Sequence, residues 1–248
     1  MSTLGLIVVL AGVFAYAALL FVIHRFTYRT WIFDSVVVVG MLLAAGGWLT
    51  KGVDIRGAIA LAVGVVWFPL VRRELRIRGS EKLNLRPGDH FPSMSVLTTD
   101  GDEVTDQDLI AHAPTLLVLY RGWWCPSHRS QLDELVGAYE RLSEAGLAVY
   151  AGSVDGPSEA AAIQEHVGNK VTILCNVPTS LLDEIGVRDT KGAPWYDRLI
   201  FGAKQQDIAM PAAVVIDSSG TVVYSYRATR VDDRPDPNRI LANLQALH

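Results

Sequence analysis

The stretch Thr115-Leu-Leu-Val-Leu-Tyr-Arg-Gly-Trp-Trp-Cys-Pro-Ser-His128 decides how the chain folds. Its first six residues form a continuous apolar run of strand length. Two tryptophans follow, then Cys125, with Pro126 directly after it. Proline suits the first position of a helix, where its missing N–H costs nothing. From Pro126 to Glu144 the apolar residues Leu132, Leu135, Tyr139 and Leu142 recur at helical spacing, and Ala145-Gly146 marks the stop. The segment therefore reads as strand, turn and helix, with Cys125 at the helix N-terminus. There the unsatisfied N–H groups and the helix dipole favour a thiolate. The competing reading is an inert core cysteine, since Cys is among the most buried residue types. The strand–helix junction, where α/β proteins place their sites, favours the reactive one.

Outward from this segment, apolar runs and helical patterns alternate. Met94–Leu97 and Glu103–Val104 flank the turn Asp100-Gly101 and predict a hairpin. Leu147–Val154 and Val171–Leu174 read as strands, and Pro157–Val167 and Thr179–Ile185 as helices, the last ended by Gly186. Ala212–Asp217 and Val222–Arg227 flank Ser218-Ser219-Gly220 as a second hairpin, and Arg239–Leu247 closes as a helix. Strands alternating with helices predict an α/β fold, and the hairpins make its central sheet mixed. The connection Arg188 to Asp207 is long and rich in Trp, Tyr and Arg, so it is a candidate wall or lid near Pro211.

WWCPSH after an apolar strand, with Met210-Pro211 before AAVVID, resembles a thioredoxin fold. It is most similar to the redoxin branch of the alkyl hydroperoxide reductase/thiol-specific antioxidant (peroxiredoxin-like) family. LRPGDHFPSMSVLTTDGDEV resembles that family's first hairpin, ILCNVPTSLLDEIGV its strand-to-helix segment and VVIDSSGTVVYSY its final hairpin. The resemblance runs from Leu85 to Leu247. It implies that Pro211 is a cis-proline opposite Cys125, and that Met210 offers a backbone edge to an extended thiol substrate.

The motif also departs from the family pattern. His128 stands where thioredoxins carry a second cysteine, so no dithiol cycle is possible within the motif. The proline and threonine that typical peroxiredoxins place before the cysteine are Val118 and Gly122 here. Pro211 stands where they carry an arginine. Cys125 alone can attack a peroxide to give a sulfenic acid, or a disulfide to give a mixed disulfide; either product needs an external thiol. His128, three residues on, either shares the helix face and holds the thiolate as an ion pair or is a solvated surface histidine. Arg121 and Arg129 either help position substrate or are ordinary surface charges, and Trp123 and Trp124 are expected to pack around the site. Cys175 reads as core filler or as a cysteine that resolves oxidised Cys125. His90, His112, His166 and His248 show no metal spacing, so no metal and no cofactor are expected.

The N-terminal part has a different composition. Residues 1–71 carry six charged side chains, Arg25, Arg29, Asp34, Lys51, Asp54 and Arg56, and raise the mean hydropathy of the 248-residue chain to +0.25. Three membrane spans are expected at about 4–23, 31–50 and 57–71 as an N-terminal bundle. Trp31, Trp48 and Trp67 lie near the span boundaries, as aromatic belts do. Arg25 and Arg29 in the first loop, and the basic segment within 72–84, put both on the cytoplasmic side and the N-terminus outside. From Leu83 onward 13 Lys/Arg stand against 22 Asp/Glu, a balance that argues against nucleic-acid binding.

The chain is thus organised as a membrane anchor (1–71), a basic juxtamembrane linker (72–84) and a thioredoxin-like domain (85–248). The leading expectation is a multi-pass cell-membrane thiol oxidoreductase with its domain in the cytoplasm. It would reduce peroxides or disulfides through Cys125 and be recycled by an external thiol. The alternative is a non-catalytic thioredoxin-fold module that binds partners or senses redox state at the membrane.

Overall fold

The computed structural model describes residues 1–23, 30–75, 83–193, 195–204, 206–228 and 236–245. The chain divides into two compact units, Met1–Arg76 and Ile77–His248. The first holds α1 (Ser2–Phe21), α2 (Thr30–Lys51) and α3 (Ile55–Leu75). α1 and α2 approach so closely that a Cβ on Gly5 would stand 2.6 Å from the Ala44 amide nitrogen, and one on Gly40 2.6 Å from Val9. Small residues allow this contact between apolar helices. The Trp67 indole N–H donates to Asp34 Oδ1 at 2.9 Å, tying α3 to α2. α1 and α2 are long and apolar enough to cross a membrane. The apolar stretch of α3, Ile55–Val71, covers 17 residues or about 26 Å, short of a 30 Å core. The expected three-span bundle is therefore two helices of spanning length and one shorter apolar helix. Arg25, Arg29 and the basic residues from 76 to 82, on which the orientation rests, lie outside the described residues.

The second unit is built on a seven-stranded mixed sheet. In chain order it holds β1 (Ser95–Thr98), β2 (Glu103–Thr105), α4 (Asp106–Ala111), β3 (Thr115–Leu119), α5 (Pro126–Glu144), β4 (Ala148–Gly152), α6 (Pro157–Val167) and β5 (Thr172–Cys175). There follow α7 (Thr179–Ile185), β6 (Arg188–Asp189), α8 (Trp195–Phe201), β7 (Ile208–Ala209), β8 (Ala212–Ile216), β9 (Val222–Arg227) and α9 (Pro237–Gln245). The strand order is β2-β1-β5-β4-β3-β8-β9, with β3, β4 and β5 parallel and the two hairpins antiparallel at the edges. This is a thioredoxin-like α/β fold with a mixed central sheet.

β3 shows why the apolar run is continuous. Successive side chains of a strand point to opposite faces. Leu116, Val118 and Tyr120 pack with Leu132, Leu135, Ala160 and Ile163 of α5 and α6, whereas Leu117 and Leu119 pack with Leu181, Leu182 and Leu109 on the other side. Both faces are covered, so the strand is apolar beyond Thr115, whose buried hydroxyl donates to the Leu109 carbonyl at 2.8 Å. The helix start at α4 is fixed by a capping box: Thr105 Oγ1 accepts the Asp108 amide, and Asp108 accepts the Thr105 amide at 2.8 Å. The parallel strands bring the loops after β3 and β4 side by side, and those loops carry the candidate site.

Candidate active site

The cysteine loop is shaped by one glycine. Gly122 has φ +152°, and a Cβ there would stand 2.5 Å from the Trp124 indole nitrogen. The Cys125 N–H donates to the Gly122 carbonyl at 3.1 Å and closes a tight turn. Cys125 then caps α5 with extended backbone, Pro126 at the first helical position, and the His128 and Arg129 amides donating to its carbonyl. The residue is 5% exposed.

A buried carboxylate holds the loop from behind. Asp155, just after β4, accepts the Trp123 amide at 2.7 Å and the Ser153 hydroxyl at 2.9 Å, both on Oδ2. Burial pushes its carboxyl up from the ordinary value, and those two hydrogen bonds oppose the shift. The Asp155 carbonyl in turn accepts the Asn176 amide, so the loops after β3, β4 and β5 are stitched together. Asp155 and Ser153 were not singled out in the sequence. An acid directly beyond a strand that neighbours the cysteine strand was the available signal.

Arg121 and His128, between which surface and site roles stood open, are both buried. The Arg121 guanidinium lies 5.8 Å from the Trp124 ring centroid, a cation–π arrangement, and 3.9 Å from the Asp189 carboxylate. None of its three nitrogens has a hydrogen-bond acceptor among the described residues. The Arg121 backbone N–H donates to His128 Nδ1 at 3.3 Å. Arg129 is exposed on α5, as an ordinary surface charge.

The long connection does cover the cysteine. β6 and β7 pair as a short ribbon, and Ala193, Ala203 and Ile208 pack in one cluster with Trp124 and Cys125. Asp189 reaches Arg121 from this ribbon, and Lys204 pairs with Glu159 at the start of α6. Two-residue strands carry no periodicity, so neither the ribbon nor Asp189 was visible in sequence.

The reading of Met210 and Pro211 is corrected. Among the described residues the cis peptide bond is Ala113-Pro114, and Met210-Pro211 is trans. The Met210 N–H donates to the Val187 carbonyl, and the Pro211 carbonyl accepts the Ala228 N–H, each at 2.7 Å. Both residues are thus held in extended pairing, and the Met210 edge is not open to a substrate. Its side chain lies in the core. Cys175 is also core: its thiol is bonded to the Leu97 and Thr98 carbonyls at 3.2 Å, and burial pushes it up. β5 stands two strands from β3, about 10 Å at ordinary strand spacing. The two cysteines are not bridged.

The model of the AhpC/TSA family matches residues 87–225. The solved structures similar to this chain include the reduced Prx3 of Vibrio vulnificus, described as a complex with H2O2. It is 17% identical, with a TM-score of 0.57, over 66% of this chain and 98% of that one. The peroxidoxin BcpB of Mycobacterium tuberculosis is 16% identical, with a TM-score of 0.54, over 66% and 99%. A thiol peroxidase of Chromobacterium violaceum is 23% identical, with a TM-score of 0.51, over 69% and 91%. No curated protein sequence matches the chain.

Proposed function

The chain belongs to the AhpC/TSA family, and from that premise we propose that it is a membrane-anchored, thiol-dependent peroxidase with Cys125 as its nucleophile. One observation carries the reading: Cys125 caps α5 beneath the β6–β7 ribbon, in a loop whose own arginine is buried with no hydrogen-bond acceptor among the described residues. The helix N-terminus and the Arg121 charge both favour the thiolate. Those guanidinium donors suit an oxygen that gains negative charge as an O–O bond breaks.

The thiolate attacks one peroxide oxygen. An S–O bond forms, the O–O bond breaks, and the departing oxygen takes a proton to leave as water or an alcohol. Cys125 is oxidised to the sulfenic acid. An external thiol condenses with it to a mixed disulfide and releases water. A second thiol then attacks that disulfide and restores Cys125. Cys175 takes no part, because its thiol is bonded inside the core.

Two features favour a peroxide over a disulfide. The cover over Cys125 disfavours a bulky disulfide, and the Met210 N–H that would pair with an extended substrate is already spent on Val187. α1 and α2 serve as the anchor. Single-turnover mixing of the purified full chain with H2O2 and, separately, with a small aliphatic disulfide tests the proposal. Faster oxidation by H2O2, lost in Cys125→Ser, is the expected result. Faster reaction with the disulfide would overturn it.

A further inference from the structure

Arg121 and Asp189 form an incomplete pair. Nη2 and Oδ2 stand 3.9 Å apart, beyond direct hydrogen-bond reach. Nε, Nη1 and Nη2 of the arginine and Oδ2 of the aspartate are all buried, and none has a hydrogen-bond partner among the described residues. Leaving such groups unbonded inside a domain costs stability, charged ones most of all. Both are nevertheless held in place. Asp189 Oδ1 accepts the Lys191 amide at 3.0 Å, which leaves Oδ2 to Arg121. Arg188, the neighbour of Asp189 in β6, has carboxylates of its own in Asp183 and Asp207, so Asp189 is not needed to neutralise it. The pair also lies at the cysteine. In the ribbon Asp189 stands opposite Ile208, which packs in one cluster with Trp124 and Cys125. Arg121 lies over the ring of that same Trp124.

We infer that Asp189 is a specificity-determining residue, which makes the Arg121 site take an uncharged oxygen that carries a hydrogen and reject an anion. This rests on the proposed peroxidase chemistry. An oxygen about 2.8 Å from each atom closes the separation, accepting from Nη2 and donating to Oδ2. Either oxygen of H2O2 can do both. A guanidinium alone would take any small oxyanion, and a carboxylate best, through its planar fork. With Asp189 beside it the two charges cancel, and an anion entering the site meets a like charge away from water. Only a ligand that donates satisfies the carboxylate. Discrimination of this kind needs a repulsive element as well as an attractive one, and Asp189 supplies it.

The test compares two oxidants of the purified full chain under single-turnover conditions, uncharged H2O2 and the anion peroxymonosulfate. With the second, the Cys125 thiolate bonds to the terminal oxygen, which keeps its proton; the O–O bond breaks and sulfate leaves. The ratio of the peroxymonosulfate rate to the H2O2 rate should rise at least about tenfold in Asp189→Asn, because the like charge is gone. An unchanged ratio would overturn the inference. So would an equal rise in Asp183→Asn, since Asp183 is an exposed acid that faces Arg188, and its charge acts only at the surface.

Formate, an oxyanion without an O–O bond, gives two further readings. In the unmodified chain, formate in place of chloride should leave the H2O2 rate unchanged; competitive slowing would overturn the inference, whether or not the Asn variant folds. In a Cys125→Ser background, formate should leave the unfolding midpoint unchanged, and adding Asp189→Asn should make the midpoint rise with formate concentration. A rise in both proteins, or in neither, would overturn it. This background carries out no chemistry at position 125, so its result stands apart from the peroxidase reading. A chain that neither oxidant oxidises would overturn that reading instead.

Discussion

Arg121 and Asp189 face each other inside the domain, Nη2 to Oδ2 at 3.9 Å, with side chains 1% and 4% exposed. One comes from the cysteine loop and the other from the ribbon that covers it. A buried charge that loses its partner is far costlier than the pair is beneficial. Asp189→Ala should therefore destabilise the domain by about 3 kcal/mol, read as a lowered unfolding midpoint of the full chain in detergent. An unchanged midpoint would mean that the guanidinium is compensated elsewhere.

Arg121→Met strands the buried Asp189 carboxylate and should cost stability as Asp189→Ala does, and it should slow the reaction of Cys125 with H2O2 at least about tenfold, the equivalent of about 1.4 kcal/mol in the barrier. Arg121→Lys restores the charge without the planar fork and should recover only part of the rate. Stopped-flow oxidation under single-turnover conditions gives both values. Equal rates in all three proteins would remove Arg121 from the chemistry.

Asp155 makes the domain sensitive to pH in a known direction. Its carboxyl is raised by burial, so the folded protein binds that proton more tightly than the unfolded chain does. The stabilisation that protonation brings is present below the ordinary value of 3.8 and is lost as pH rises through the raised one. Measured against Asp155→Asn, the wild type should gain stability as pH is lowered from neutral toward the carboxylate range. Asp155→Ala should cost about 1–3 kcal/mol, because the Trp123 amide and the Ser153 hydroxyl lose their acceptor. A parallel pH profile for wild type and Asn variant would contradict the assignment.

Cys175→Ser separates core packing from redox resolution. A serine hydroxyl has the same two carbonyls in reach, so the variant should fold and turn over peroxide at the wild-type rate with a small-thiol reductant. Loss of turnover with normal oxidation of Cys125 would show Cys175 to be a resolving residue.

Gly122→Ala should damage the site more than its size suggests. The backbone there has φ +152°, and the added Cβ would stand 2.5 Å from the Trp124 indole. A cost above about 1 kcal/mol is expected, with slower oxidation of Cys125 as the loop shifts. Thermal unfolding and single-turnover oxidation check the two effects separately.

Local pattern made much of this fold legible. Pro157 opening α6, Gly186 closing α7 and the apolar run of β3 each announced their elements, because caps and periodicity are short-range signals. The six-residue α4 carried its capping box in plain view but was too short to show a period. Legibility failed where burial depends on distant residues. Arg121 stands open between a surface charge and a site residue until Asp189, far along the chain, is brought beside it. His128 reads as a surface histidine or a site residue until the fold buries it, which removes the first reading. Met210 and Pro211 are held in extended pairing by Val187 and Ala228 respectively, contacts that no motif encodes.

The central claim is that Cys125, and not Cys175, meets the peroxide. The direct measurement is to mix the reduced full chain with one equivalent of H2O2 in the presence of a sulfenic-acid trap and to map the adduct by mass spectrometry. The account predicts an adduct on Cys125 and none on Cys175. An unmodified Cys125, or an adduct on Cys175, would contradict it.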